Sequence, residues 1–146
     1  LTQSLLPMLI ASATDADPAR VVNVGSVMGD APIGDGAYSY SASKAAVHHL
    51  TEILAKELAP KRVTVNAIAP GPFVSNMTAF ATGDATKRDK VGSGVPLGRV
   101  GRPEDIAGCL QFLCGQGGAY LTGAVLPVSG GLQVMSAPPL FERAFG

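Results

Sequence analysis

Tryptophan is absent from the 146 residues, cysteine occurs only twice, and charged residues make up 15% of the chain, against about a quarter in ordinary soluble domains. Two cysteines are too few for a disulfide scaffold, and no further Cys or His stands beside them at metal-ligand spacing. Cys109 and Cys114, five apart in a predicted helix, are expected as buried, reduced thiols. Eleven basic residues balance eleven acidic ones and form no run long enough to follow a phosphate backbone, which argues against nucleic-acid binding. Long apolar runs are missing too. The opening series Leu1, Leu5, Leu6, Met8, Leu9 and Ile10 is interrupted by Thr2, Gln3, Ser4 and Pro7 and lacks a basic flank. It fits neither a signal peptide nor a membrane span, so the expectation is a cytoplasmic protein, and Leu1 in place of an initiator Met suggests a longer parent chain.

What is plentiful is apolar surface, 47% of residues by type. A chain of this length makes one domain, and so much apolar surface with so little charge calls for an obligate partner surface or for neighbouring sequence.

The opening series predicts a helix, followed by a polar hinge from Ala11 to Ala19. "RVVNVGS" (20–26), "RVTVNAIAPG" (62–71) and "AVLPVSGG" (124–131) predict three strands, the third near a sheet edge because of Pro127. A helix is predicted between the first two, from about Ser39 to Leu58, and strand, helix, strand over that length is the pattern of a parallel α/β sheet. Its functional loops belong at the C-terminal ends of the strands, where Ser26 and Gly71 fall. Residues 72–101 predict a long loop with a short helix around Ala85 to Val91, and loops of that length are commonly lids. Pro103, with Glu104 and Asp105 in the first turn, starts a further helix that runs to about Cys114. Three strands are few for a doubly wound sheet, so its other strands are expected outside these residues. Residues 135–146 form a tail in which Phe141 and Phe145 could dock on a neighbour.

The stretch "YSYSASK" (38–44) holds two tyrosines and one lysine. At about 100° per helical residue, Lys44 lies about 40° round from Tyr40 and about 120° from Tyr38. An apolar stripe of Ala46, Leu50, Ile53, Leu54 and Leu58 is expected to flank the Tyr40 side, while His49, Glu52 and Lys56 mark the solvated side with Tyr38. The reactive pair is therefore Tyr40 and Lys44. A phenol is a poor proton donor or acceptor at neutrality, but an ammonium one turn away favours its phenolate form. Such a pair can pass a proton to or from an alcohol oxygen, with Ser26 as a second hydroxyl donor to the same atom. His48 and His49 read as solvated or packed helix residues, and Lys87, Arg88 and Lys90 as a wet lid surface with attraction of an anionic substrate left open.

"VNVGSVMG" (22–29), "YSASK" (40–44), "VTVNAIAPGPFVSNMT" (63–78), "PLGRVGRPEDIA" (96–107) and "YLTGAVLPVSGG" (120–131), in this order, resemble the C-terminal half of a short-chain dehydrogenase/reductase, most of all the bacterial β-ketoacyl reductases of the rhamnolipid-synthesis type. The resemblance implies an α/β fold, the C-terminal portion of a Rossmann-type doubly wound parallel sheet, with residues 1–134 as part of one domain. It implies catalysis by Ser26, Tyr40 and Lys44. It implies a nicotinamide cofactor held by Tyr40, Lys44, Pro70, Gly71, Phe73 and Ser75, with NADP favoured and NAD open. Ser75 has helix capping as its alternative role. The segment from Asn76 and Met77 to about Val95 would be a substrate lid. The implied substrate is a ketone, including a 3-oxoacyl thioester, and the implied assembly a homodimer or homotetramer built on the first and the Tyr40-bearing helices. A carrier-protein substrate would need basic residues near those helices, for which Lys61 or Arg62 serves, although "TDADPAR" (14–20) is acidic until Arg20.

The sequence departs from the family pattern in two ways. Ser129 stands where relatives often carry Asp, and the family's glycine-rich phosphate loop, its Asn-Asn-Ala-Gly stretch and its catalytic asparagine have no counterpart after Leu1. Two readings follow: an oxidoreductase whose catalytic half is intact here, or a half-fold that acts at most as an interaction module.

Overall fold

β-branched residues make up half of each of the first two of three strands, β1 (Ala19–Val24) and β2 (Val63–Pro70), which are joined by β3 (Val125–Val128) in a parallel sheet of order β1-β2-β3. The structure, a computed structural model, describes residues 1–33 and 36–135. The expected docking of Phe141 and Phe145 lies outside the described residues. Ala19 pairs with Val63 and Val24 with Ile68, while Pro70 pairs with Val128, so the C-terminal ends of all three strands lie at the same end of the sheet. β3 lies at an edge, as Pro127 requires. It ends before the predicted Gly131 because Gly130 and Gly131 both adopt left-handed φ, 66° and 96°, which turns the chain out of the sheet.

Parallel pairing needs long crossovers, and helices supply them. Helix α1 (Thr2–Ser12) precedes β1, and α2 (Tyr38–Leu58) connects β1 to β2. Short helices α3 (Ala79–Thr82) and α4 (Ala85–Ser93) and the longer α5 (Pro103–Cys114) lie between β2 and β3. Ala55 and Leu58 of α2 bury themselves against Val63 and Val65 of β2, with Leu6, Leu9 and Ile10 of α1 and Ala19 and Val21 of β1 around them. Side chains alternate across a strand, so Arg20, between Ala19 and Val21, points to the opposite face. There its Nη2 donates to the carbonyl of Gly115, the residue that ends α5. Helices thus cover both faces, which is why β2 is buried from Val63 to Ala69.

Two polar side chains sit in this core with their needs met. Asn66 donates to the Leu121 carbonyl at 2.8 Å and accepts from the Ala124 amide at 3.0 Å. Thr51 donates to the Val47 carbonyl at 2.8 Å and accepts from Asn23 Nδ2 at 2.9 Å. Each ties a loop or helix to a strand.

Two expectations fail. The apolar stripe of α2 faces outward in part, with Leu50 49% and Ile53 41% exposed. The face laid on the sheet carries His48, Thr51, Ala55 and Leu58, because a small residue lets the helix lie close and polar ones find partners there. The cysteines are not both buried: Cys109 is partly exposed and Cys114 exposed, although both are free thiols. Five residues correspond to about 140° round a helix, so one buried face cannot hold both. Burial still pushes the Cys109 thiol up from its ordinary value.

Candidate active site

The C-terminal ends of β1 and β2 bring the expected residues together. After Val24 the chain turns at Gly25, whose amide donates to the Ile68 carbonyl at 2.8 Å and carries the strand register one residue further. Ser26 then opens a single 3₁₀ turn, Val27–Gly29, and its Oγ accepts from the Met28 amide at 3.2 Å. Ser26 is 5% exposed. Tyr40 stands in the first turn of α2, half-buried, whereas Tyr38 is 84% exposed. Lys44, one turn on, brings its Nζ to 5.6 Å from the centre of the Tyr40 ring, a cation–π arrangement. The same ammonium donates to the Val24 carbonyl at 3.0 Å.

Ser26, Tyr40, Pro70 and Gly71 line one cavity of 530 Å³. Its other walls are mainly apolar, including Met28, Ile33, Met77, Phe80, Val95 and Leu132. No Lys, Arg, Asp or Glu is among the lining residues. Pro70 and Gly71 line it at the end of β2, where the Gly71 amide donates to the Val128 carbonyl at 3.0 Å. A Cβ on Gly71 would lie 2.8 Å from the Cα of Ser129, so this close approach of two backbones requires glycine.

The remaining two predicted residues stand apart. Phe73 lays its ring on Gly101 and lines a second cavity, of 330 Å³, with Pro72, Arg99 and Asp105. Ser75 is exposed and shares hydrogen bonds with Thr78: the two hydroxyls are 3.0 Å apart and Ser75 Oγ accepts from the Thr78 amide at 3.3 Å. That is a local turn leading into α3, whose N-cap residue is Thr78 rather than Ser75.

The predicted lid segment carries α3 and α4, and the short helix expected around Ala85 to Val91 is α4. Asp84 caps α4 by accepting from the Lys87 amide at 2.8 Å. Met77 and Phe80 are 71% and 81% exposed while also lining the cavity, so they form its outer rim. Beyond α4, Arg99 makes a two-pronged ion pair with Asp105, at 2.7 and 3.0 Å, and the Arg102 amide donates to the same carboxylate at 2.8 Å. The guanidinium, and then the amide, hold the Asp105 carboxyl down at about 2.

The residue that sequence reasoning placed no further than a packed or solvated helix position is His48. It is buried, and its ring contacts both Asp30 and the Ser26 backbone. The available signal was its spacing, four residues beyond Lys44 on the face that carries Tyr40.

The family model described as "Enoyl-(Acyl carrier protein) reductase" matches residues 1–133. The chain is 46% identical over 132 residues to the rhamnolipids biosynthesis 3-oxoacyl-[acyl-carrier-protein] reductase of Pseudomonas aeruginosa, covering 90% of this chain and 52% of that protein. It is 44% identical over 114 residues to the acetoacetyl-CoA reductase of Allochromatium vinosum, covering 77% of this chain and 45% of that one. Among solved structures, the Pseudomonas aeruginosa RhlG/NADP active-site complex superposes with a TM-score of 0.85 at 46% identity, over 90% of this chain and 53% of that one. The chain therefore spans about half the length of the relatives it matches. A parallel sheet of this order, a serine at a strand end that lines one cavity with the tyrosine of a Tyr-x-x-x-Lys helix, and these likenesses place the chain in the short-chain dehydrogenase/reductase family.

Proposed function

We propose that these residues form the proton-transfer half of an NADP-dependent oxidoreductase that reduces a ketone to a secondary alcohol. The observation that carries this reading is the shared cavity: Ser26 and Tyr40 both line one mainly apolar space, and Lys44 sets a positive charge against the Tyr40 ring. A carbonyl oxygen in that space would accept from Ser26, and Tyr40 Oη would deliver the proton to it as negative charge develops. Lys44 supplies the opposite charge beside the phenol as the proton leaves. A bound nicotinamide would supply the hydride to the carbonyl carbon.

The site suits such a cofactor. An ammonium carries three N–H groups, and Val24 is the one hydrogen-bond acceptor seen for Lys44 among the described residues. The others are available to ribose hydroxyls, and Pro70 and Gly71 line the same cavity as Tyr40, where the ring would lie. Phe73 and Ser75 are assigned to the carboxamide and phosphate side, for which Ser75 would have to exchange its present bonds with Thr78. NADP is preferred to NAD because a solved relative is an NADP complex.

The substrate proposed is a 3-oxoacyl thioester. The uncharged, mainly apolar walls fit an acyl chain, and the two curated relatives described are named for a 3-oxoacyl and an acetoacetyl substrate. The protein is proposed to be cytoplasmic and to work as a homodimer or homotetramer through the outward apolar residues of α1 and α2. No described helix is long and apolar enough to cross a membrane.

The test is NADPH consumption with acetoacetyl-coenzyme A by the whole polypeptide that carries these residues. Tyr40→Phe is expected to lower turnover by about 10²- to 10⁴-fold while NADPH still binds. Undiminished turnover in that variant would remove Tyr40 from the reaction.

A second reading is favoured by β1, which ends the sheet, and by Arg20, whose Nε and Nη1 are buried without a partner among the described residues. On this reading the 146 residues alone act only as an interaction module. An NADPH fluorescence titration of the chain alone decides it: saturable binding would count against the module, and no binding would favour it.

A further inference from the structure

His48 is 5% exposed, and both nitrogens of its ring are engaged. Nε2 lies 3.3 Å from the backbone nitrogen of Ser26, and Nδ1 lies 2.9 Å from Asp30 Oδ1. A backbone amide can only donate, so Nε2 must present its lone pair. The ring proton is therefore on Nδ1, donated to the Asp30 carboxylate.

The two partners are the two ends of one loop. Ser26 opens the 3₁₀ turn and Asp30 closes it, with the Gly29 amide donating to the Ser26 carbonyl at 2.9 Å. The loop is moulded round the ring: a Cβ on Gly25 would fall 2.1 Å from Nε2, and one on Gly29 would fall 2.7 Å from Cε1. His48 also belongs to α2, the helix that carries Tyr40 and Lys44. The imidazole thus fastens the serine loop to the tyrosine helix.

We infer that His48 is a positioning residue, which sets the Ser26 hydroxyl against Tyr40 by holding the Ser26 amide, with Asp30 fixing its tautomer. It acts through the main chain and touches no reacting atom. The inference rests on the proposed reductase activity for its kinetic part, while the tautomer is independent of it.

The experiment is a mutant cycle in the whole polypeptide, with acetoacetyl-coenzyme A and NADPH. His48→Leu fills the space and removes both hydrogen bonds, and it is expected to lower kcat by about 10- to 100-fold with KM and NADPH affinity little changed. His48→Gln, whose carbonyl can accept from the Ser26 amide, should recover most of that loss. In a Ser26→Ala background His48→Leu should cost nothing further, because the hydroxyl it positions is gone. Equal losses in both backgrounds, or no rescue by Gln, would make His48 a mere core residue and overturn the inference. Nitrogen-15 spectra of the wild-type imidazole give the second readout: a proton on Nε2 would overturn it without any assay. A wild-type protein that reduces no ketone would sink the proposed activity instead, and the tautomer would then decide the inference by itself.

Discussion

The Lys44 ammonium is held between two fixed features of the fold, the Tyr40 ring at 5.6 Å and the Val24 carbonyl at 3.0 Å. A strand end therefore anchors the charge that the helix presents to the phenol. Lys44→Met is expected to lose about 10²-fold or more in turnover, with weaker NADPH binding as well, since one group serves both. Tyr38→Phe, on the exposed side of the same turn, should change neither. Steady-state kinetics with both variants checks the assignment.

Gly71 tests the sheet that supports the site. Gly71→Ala puts a methyl 2.8 Å from the Ser129 Cα, which is backbone and cannot rotate away. The expected cost is about 1–3 kcal/mol, read as a lower urea midpoint at unchanged slope. An unaltered midpoint would mean that β2 and β3 separate easily at this end.

Asp105 gives a pH dependence of known sign. Its carboxyl is held at about 2, below its ordinary value of 3.8, by Arg99 and the Arg102 amide. A lowered pKa stabilises the fold above the unfolded value, and that contribution is lost as pH falls from near 4 through about 2. The pair is partly exposed, so the effect is small and falls with added salt. Asp105→Asn should melt below the wild type at pH 7, with the gap closing toward pH 2. A gap that persists in acid would assign the effect to packing.

Outward residues of α2 test the assembly. Leu50 and Ile53, 49% and 41% exposed, lie on one side of the helix. Leu50→Glu combined with Ile53→Glu is expected to reduce the mass seen by light scattering to that of a single chain. Retention of a larger mass would move the subunit contact elsewhere.

The Tyr40–Lys44 pair proposed as catalytic was legible because it is local: four residues on a helix fix one against the other whatever surrounds them. The strands were legible as β-branched runs, and parallel pairing followed from the length of the crossover. The packed face of α2 was not legible. His48 and Thr51 are polar, and polarity marks them as solvated until the partners that satisfy them, Asp30 and Asn23, are brought near by the fold. Ser75 and Phe73 could be placed in the loop after β2, but the bond of Ser75 to Thr78 and the contact of Phe73 with Gly101 depend on how residues 72–101 fold back, which neighbouring sequence does not fix.

The turn after β1 has little room for a change in chain length. Val24 pairs with Ile68, Gly25 bonds to the Ile68 carbonyl, and Ser26 is gripped one residue later by His48. A single inserted residue between Val24 and Ser26 would leave Lys44 moored to its carbonyl while carrying the serine out of reach of Tyr40. Homologues and engineered variants should therefore vary in length at exposed Gly83 and Asp84, between α3 and α4, and keep the count from Val24 to Asp30 constant.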